Sequence, residues 1–174
     1  MTKNEIHARN LWLFSFYFAG IRVADVLKIQ RNAIYDDRRH YRMNKNSKLL
    51  SQKIPDKVFP ILEDYTNDKQ NGDFIFPEMK KTDLTNAKDV YARTITANKK
   101  FITYLVTVAE KAGISKKATM HIARHTFGNI SKDKIPINML QKLYRHSSIT
   151  TMINYRSNFM HRDADRALDR VLIF

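Results

Sequence analysis

Hydrophobic positions in this chain recur mainly at helical intervals, so most of the elements they predict are helices. Residues 4–19 (NEIHARNLWLFSFYFA) start polar and become almost continuously apolar, the pattern of a helix buried on most sides. Gly20 follows, suited to the left-handed cap that ends a helix. Residues 21–27 (IRVADVL) read as a short second helix with Val23, Val26 and Leu27 on one face. Arg22 and Asp25 fall three apart on another face, either as a weak exposed ion pair or as a cation held by a rigid element. Weak period-two alternation then predicts two or three antiparallel strands at about 32–36, 39–44 and 50–55. Turn chemistry lies at Asp36-Asp37 and at residues 44–47.

Helical spacing resumes at about 55–66, where Pro60 is tolerable only near the first turn. A polar linker (67–73), an apolar tether (74–77) and a polar loop (78–85) lead to a long helix over 86–112. Its expected inward residues are Val90, Ile95, Phe101, Ile102, Leu105 and Val108, with Lys99 and Lys100 outward and Gly113 as the stop. Further helices are predicted at about 119–130, 136–144 and 148–156, with Pro136 at a first helical position and Ser147-Ser148 as a cap. A last amphipathic helix covers 162–173. The fold class is mainly α with a small antiparallel β-sheet in the N-terminal third, an α+β arrangement.

Composition sharpens this. Of 174 residues 43% are hydrophobic, enough for one domain with a real core. Lys and Arg number 31 against 17 Asp and Glu, a net charge of +14 that favours a polyanion, nucleic acid first. Residues 28–53 alone carry eight of those cations and two acids. With no cysteine, disulfides and thiolate metal sites are excluded. The apolar run at 11–18 is too short to span a bilayer and no cleavage site follows, so a soluble cytoplasmic chain without membrane contact is expected.

Candidate chemistry concentrates near the C-terminal end, in MHIARHTFGNISKDKIPINMLQKLYRHSSITTMINYRSNF (120–159). His121 and Arg124 share a helix face, and His146 and Tyr155 flank the Ser147-Ser148 turn, so the four can converge. His121 and His125 have zinc-ligand spacing, but neither the glutamate of an HExxH motif nor a third ligand accompanies them. No metal or cofactor is expected. The set suits phosphodiester chemistry: guanidinium groups match the charged non-bridging oxygens. Nearby cations favour a phenolate nucleophile, while lysine and histidine side chains can move protons.

The segments HIARHTFGN and LYRHSSITTMINY resemble the catalytic box of the tyrosine recombinase (phage-integrase-type) family, HxxRHTFA followed by LGHxSIxTTxxYxH. GIRVADVL is similar to the family's GLRxxEL arginine segment, and MNKNSK before KIP to its lysine-bearing β-hairpin. The resemblance covers essentially the whole chain, in the family's order. It implies a site-specific DNA recombinase or integrase that breaks and rejoins DNA without metal or ATP. Under it, Tyr155 attacks the scissile phosphate and leaves a 3′-phosphotyrosyl bond. Arg22 and Arg124 clamp the non-bridging oxygens, His146 bonds the same phosphate, and His121 assists proton transfer. Lys45 protonates the 5′ oxygen, with Lys48 as the other candidate, and Asp25 buttresses Arg22. Arg38, Arg39, Arg42, Lys48, Arg145 and Arg156 are candidate DNA-backbone contacts.

Two positions depart from the family pattern: Arg145 stands in place of the glycine before the second His, and Gly128 in place of the alanine after HTF. Family members usually carry an N-terminal core-binding domain, whereas the resemblance here begins almost at Met1. The expectation is therefore a single catalytic domain over 1–174 without that domain, its 156–174 tail and helix docking on a neighbouring subunit or on its own chain. The implied partner is double-stranded DNA at crossover sites, engaged as a homotetramer in the bacterial cytoplasm. Type IB topoisomerases and telomere resolvases use similar chemistry, and a non-cleaving DNA-binding regulator is the alternative outside enzymes.

Overall fold

The structure, a computed structural model, describes residues 1–42, 49–131 and 134–144. Its chain divides into two compact units, Met1–Arg124 and His125–Phe174.

The first unit is built on α1 (Lys3–Tyr17). A reciprocal capping box starts this helix: Glu5 N–H donates to Thr2 Oγ1 while Thr2 N–H donates to the Glu5 carboxylate. Beyond Arg9 none of its residues is exposed, as its near-continuous apolar run requires. Ala8, Leu11 and Phe14 enter the core beside Ile54, Ile75, Phe76 and Phe101. Each of the leucine, isoleucine and phenylalanine side chains contributes about 1.5–3 kcal/mol on burial. The helix ends in two successive left-handed residues, Ala19 (φ 59°) and Gly20 (φ 67°).

The next helix, α2, is shorter than the sequence predicts. It spans Val23–Val26, and Arg22 is its extended N-cap rather than a helical residue. The predicted sheet has three strands in order, β1 (Ile34–Tyr35), β2 (Arg38–Arg42) and β3 (Leu49–Lys53), all antiparallel. Strand β1 is cut to two residues because Arg31–Ala33 forms a 3-10 turn. Tyr35 pairs with Arg38 across a two-residue loop. In that loop Asp36 (φ 51°) and Asp37 (φ 53°) are both left-handed, the geometry that matches strand twist in a tight hairpin.

The helix expected at 55–66 is split. Asp56–Val58 forms a 3-10 turn and α3 covers Phe59–Thr66 with Pro60 in its first turn. Proline has no N–H to donate and its ring crowds the carbonyl four residues back, so the α-helix begins at Phe59. The 74–77 tether is buried at Ile75 and Phe76, and Pro77–Met79 adds a further 3-10 turn at the edge of the expected loop. Helix α4 (Ala87–Lys111) is capped by the Asn86 side chain, and Gly113 (φ 69°) lies just past its end. It packs along α1 through Ala97, Phe101, Leu105 and Ala109, one row at four-residue spacing. Val90, Ile95, Ile102 and Val108, expected inward, flank that row half-buried, while Lys99 and Lys100 face out.

Helix α5 (Met120–Ser131) matches its predicted span, and α6 covers Ile137–Tyr144. Pro136 stands one position outside α6, its carbonyl accepting from the Met139 and Leu140 N–H groups. Within the second unit Leu140 and Tyr144 form a small core with Phe127, Ile135, Ile137 and Leu143. The helices predicted at 148–156 and 162–173 and the Ser147-Ser148 cap lie outside the described residues, as does the 156–174 tail. Among the described residues no helix is long and apolar enough to cross a membrane.

Candidate active site

Arg22, His121 and Arg124 all belong to the first unit. Arg22 is exposed, and its carbonyl accepts from the Asp25 and Val26 N–H groups, so the first turn of α2 fixes its backbone. Asp25 is half-buried within that turn. His121 is exposed in the first turn of α5. Arg124 is only 5% exposed and donates from Nη1 to the Gly20 carbonyl oxygen at 2.9 Å.

The corner between α1 and α2 therefore reaches the first turns of α5. A β-carbon built on Gly20 would lie 2.3 Å from Arg124 Cα, so the two backbones touch where Gly20 lacks a side chain. Arg22 follows two residues later, which places its Cα within ~11 Å of the Arg124 Cα. The same corner is tied internally: the Gly20 and Ile21 N–H groups both donate to the Ser15 carbonyl, at 2.8 and 3.2 Å. The buried Ser15 hydroxyl donates to the Ile21 carbonyl at 2.7 Å. A second grip sits at the start of α5, where Trp12 Nε1 donates to the Thr119 carbonyl at 3.1 Å. Gly20 thus does more than end α1, and Ser15 and Trp12, inside an apolar run, carry no local signal of these contacts.

The strand arginines differ among themselves. Arg38 is half-buried and donates across the sheet to Ser51 Oγ at 2.8 Å. Arg39, expected at a DNA surface, is 5% exposed with its guanidinium 4.8 Å from the Tyr41 ring centre and 5.8 Å from that of Phe18. Strand alternation turns it inward, where it packs on aromatic faces. Arg42 closes β2. Lys45, Lys48, Arg145, His146, Tyr155 and Arg156 lie outside the described residues. His125, the residue at zinc spacing from His121, is half-buried in α5, and Gly128 is buried. Among the described residues there is no group of three or more metal-ligating side chains.

A separate cleft of about 730 Å³ in the first unit holds none of these residues; Asn10, Tyr65, Glu78, Lys80 and Lys100 are among those lining it. There His7 joins the Tyr65 hydroxyl (2.8 Å from Nδ1) to a Glu78 carboxylate oxygen (2.7 Å from Nε2). Burial, opposed by the Asn10 side chain, pushes the Tyr65 phenol up to about 12. A phenol shifted that way stays neutral, the opposite of what a nucleophile needs.

The tyrosine recombinase of Thermosipho africanus (strain TCF52B) is 25% identical over 156 residues, covering 88% of this chain and 50% of that protein. The chain thus spans about half the length of the curated relative it matches. The crystal structure of XerA recombinase superposes with a TM-score of 0.57 at 18% identity, covering 90% of this chain and 57% of that one. The Tn1549 transposon integrase, solved in complex with transposon right end DNA, gives 0.59 at 14% identity, over 95% of this chain and 58% of that one. These likenesses establish the shared fold, mostly helical with a small antiparallel sheet. The phage integrase family model matches residues 1–162, nearly the whole chain and every residue of the candidate set from Arg22 to Tyr155, and the chain belongs to that family.

Proposed function

We propose that this chain is the catalytic portion of a site-specific DNA recombinase that cuts and rejoins strands through a 3′-phosphotyrosyl intermediate. The observation that carries this reading is the contact of Arg124 with Gly20, two residues before Arg22. It fixes two guanidinium-bearing segments close together in a chain of net charge +14. Such a pair suits the spread charge of a phosphoryl transition state.

In the proposed reaction Tyr155 Oη attacks the scissile phosphorus. The P–Oη bond forms as the bond to the 5′ oxygen breaks. His121 takes the phenol proton, Lys45 gives a proton to the departing 5′ hydroxyl, and Arg22, Arg124 and His146 hold the non-bridging oxygens. Asp25 orients Arg22. Attack by a 5′ hydroxyl on the phosphotyrosine reverses these steps, so bond energy is conserved and no ATP enters. The partner is double-stranded DNA at crossover sites, engaged by a tetramer in the bacterial cytoplasm. Arg38, Arg42, Lys48, Arg145 and Arg156 contact its backbone.

The test is a covalent trap. Protein is incubated with nicked duplexes from a candidate attachment site, without divalent metal, beside Tyr155→Phe. A detergent-resistant adduct on the 3′ side of the break, lost in the variant, is expected. Tight, salt-sensitive binding with no adduct on any duplex would instead favour a non-cleaving DNA-binding role.

A further inference from the structure

We infer that the Ser15–Gly20–Ile21 corner is a positioning device that sets the spacing of Arg22 and Arg124, with Gly20 its hinge point and Ser15 its lock. The inference rests on the strand-cleavage reading above and assigns to it two residues that touch no substrate.

Three observations converge on this corner. First, Gly20 is held at φ +67° and meets Arg124 Cα where a β-carbon would be 2.3 Å away. Backbone atoms do not yield at that distance, so any side chain at position 20 must push α5's first turns away from the corner. Second, the Gly20 carbonyl accepts from Arg124 Nη1 at 2.9 Å, which orients the guanidinium as well as the Cα. Third, Ser15 Oγ donates to the Ile21 carbonyl at 2.7 Å, and both ends of this bond are buried. Ile21 immediately precedes Arg22, so its peptide plane sets the direction in which Arg22 leaves the corner. One seven-residue stretch of backbone, 15–21, thus controls both arginines, Arg124 through a through-space contact and Arg22 through the chain. Trp12, bonded to the Thr119 carbonyl at 3.1 Å, holds the start of α5 on the same helix.

The chemistry makes this placement matter. Two guanidinium groups stabilise a phosphoryl transition state only if both reach its oxygens at hydrogen-bond distance, and a displacement of about 1 Å can cost ~10²-fold in rate. Gly20→Ala is expected to lower single-turnover strand cleavage about 10²-fold while leaving DNA affinity within about threefold. Ser15→Ala, which opens no clash, is expected to lower it by about tenfold.

Two readouts separate positioning from general damage. Cleavage rates of the 174-residue chain and its variants are compared on a duplex with an ordinary scissile phosphate and on one carrying a neutral methylphosphonate there. The neutral group asks less of the clamp, so both variants should lose much less on it than on the phosphodiester. Equal losses on the two duplexes, or no loss on either, overturn the inference. If Gly20→Ala does not fold, Ser15→Ala decides by the same ratio. The second readout needs no activity: a urea double-mutant cycle of Gly20→Ala with Arg124→Ala. Arg124→Ala should shift the midpoint less in the Gly20→Ala background than alone, and additive shifts would show that the two residues are uncoupled. A wild-type chain inert on every duplex sinks the cleavage reading itself, and the cycle still decides whether Gly20 holds Arg124.

Discussion

His7→Leu removes the only side chain that hydrogen-bonds Glu78 among the described residues. His7 Nε2 lies 2.7 Å from Glu78 Oε1, the other carboxylate oxygen has no partner there, and the Glu78 side chain is only 14% exposed. Tyr65 loses its bond to His7 too, but it lines the cleft, where water can replace that partner. Leucine can occupy the space among Tyr65, Phe76 and Phe101, whose ring centres lie 5.5, 6.4 and 5.8 Å from that of His7. The cost therefore falls chiefly on a stranded carboxylate. A buried carboxylate left without its hydrogen-bond donor costs about 1–3 kcal/mol or somewhat more, here about 2–4. At about 2–4 °C per kcal/mol for a chain of this size, the thermal midpoint should fall by roughly 4–16 °C. Circular dichroism during heating and urea titration measures both. Adding Glu78→Met to His7→Leu should recover more than half of the loss, because the stranded group is gone and the space stays filled. A single-variant loss below ~1 kcal/mol, or a second substitution that restores nothing, would refute the reasoning.

Other consequences are open to the same assays. The Lys111 ammonium, bonded to Glu5 at 2.8 Å, and after it the Thr2 N–H hold the Glu5 carboxyl below its ordinary value of 4.5. A depressed carboxyl contributes stability that is present above its unfolded pKa and lost as pH falls through the folded one. The stability gap between wild type and Glu5→Gln should thus be flat above about pH 5.5 and close below 4.5 in urea titrations at stepped pH. Asp37→Gly relieves a left-handed aspartate in the β1–β2 turn (φ 53°) and should raise stability by about 1 kcal/mol, read as a higher urea midpoint. Arg22→Ala should cut adduct formation at least ~10²-fold with unchanged stability, since Arg22 is exposed; an equal fall in the thermal midpoint would point to a structural role instead.

Much of the architecture was legible because local signals agreed with tertiary demand. The apolar run of α1 and the Asp36-Asp37 turn each say in a few residues what the fold then does. Errors arose where one residue shifted a boundary or a neighbour chose the face. Pro60 divided one expected helix into a 3-10 turn and α3. On α4, periodicity gave the helix, but α1 selected the row from Ala97 to Ala109, and no local rule ranks a small alanine above Ile95 or Ile102. Arg39 looked like one of a basic cluster. Its inward turn follows from register, which is fixed only once β2 is paired on both sides.

The candidate site was legible in a different way. Arg22, His121 and Arg124 could be named from the sequence because their chemistry is in their side chains. What holds them could not, because Gly20 acts through the side chain it lacks and Ser15 through one hydroxyl bonded to a carbonyl six residues on. Gly20 and Arg124 are separated by 104 positions, and nothing local to either announces the other. A charged side chain on a helix keeps several rotamers unless something specific fixes it. Burying Arg124 to 5% exposure in so basic a chain is unfavourable unless its donors are met. The Gly20 carbonyl meets one of them, and the absent β-carbon is what allows the approach. The same packing that makes Arg124 costly to bury also makes it stiff, and stiffness is what a phosphate clamp requires.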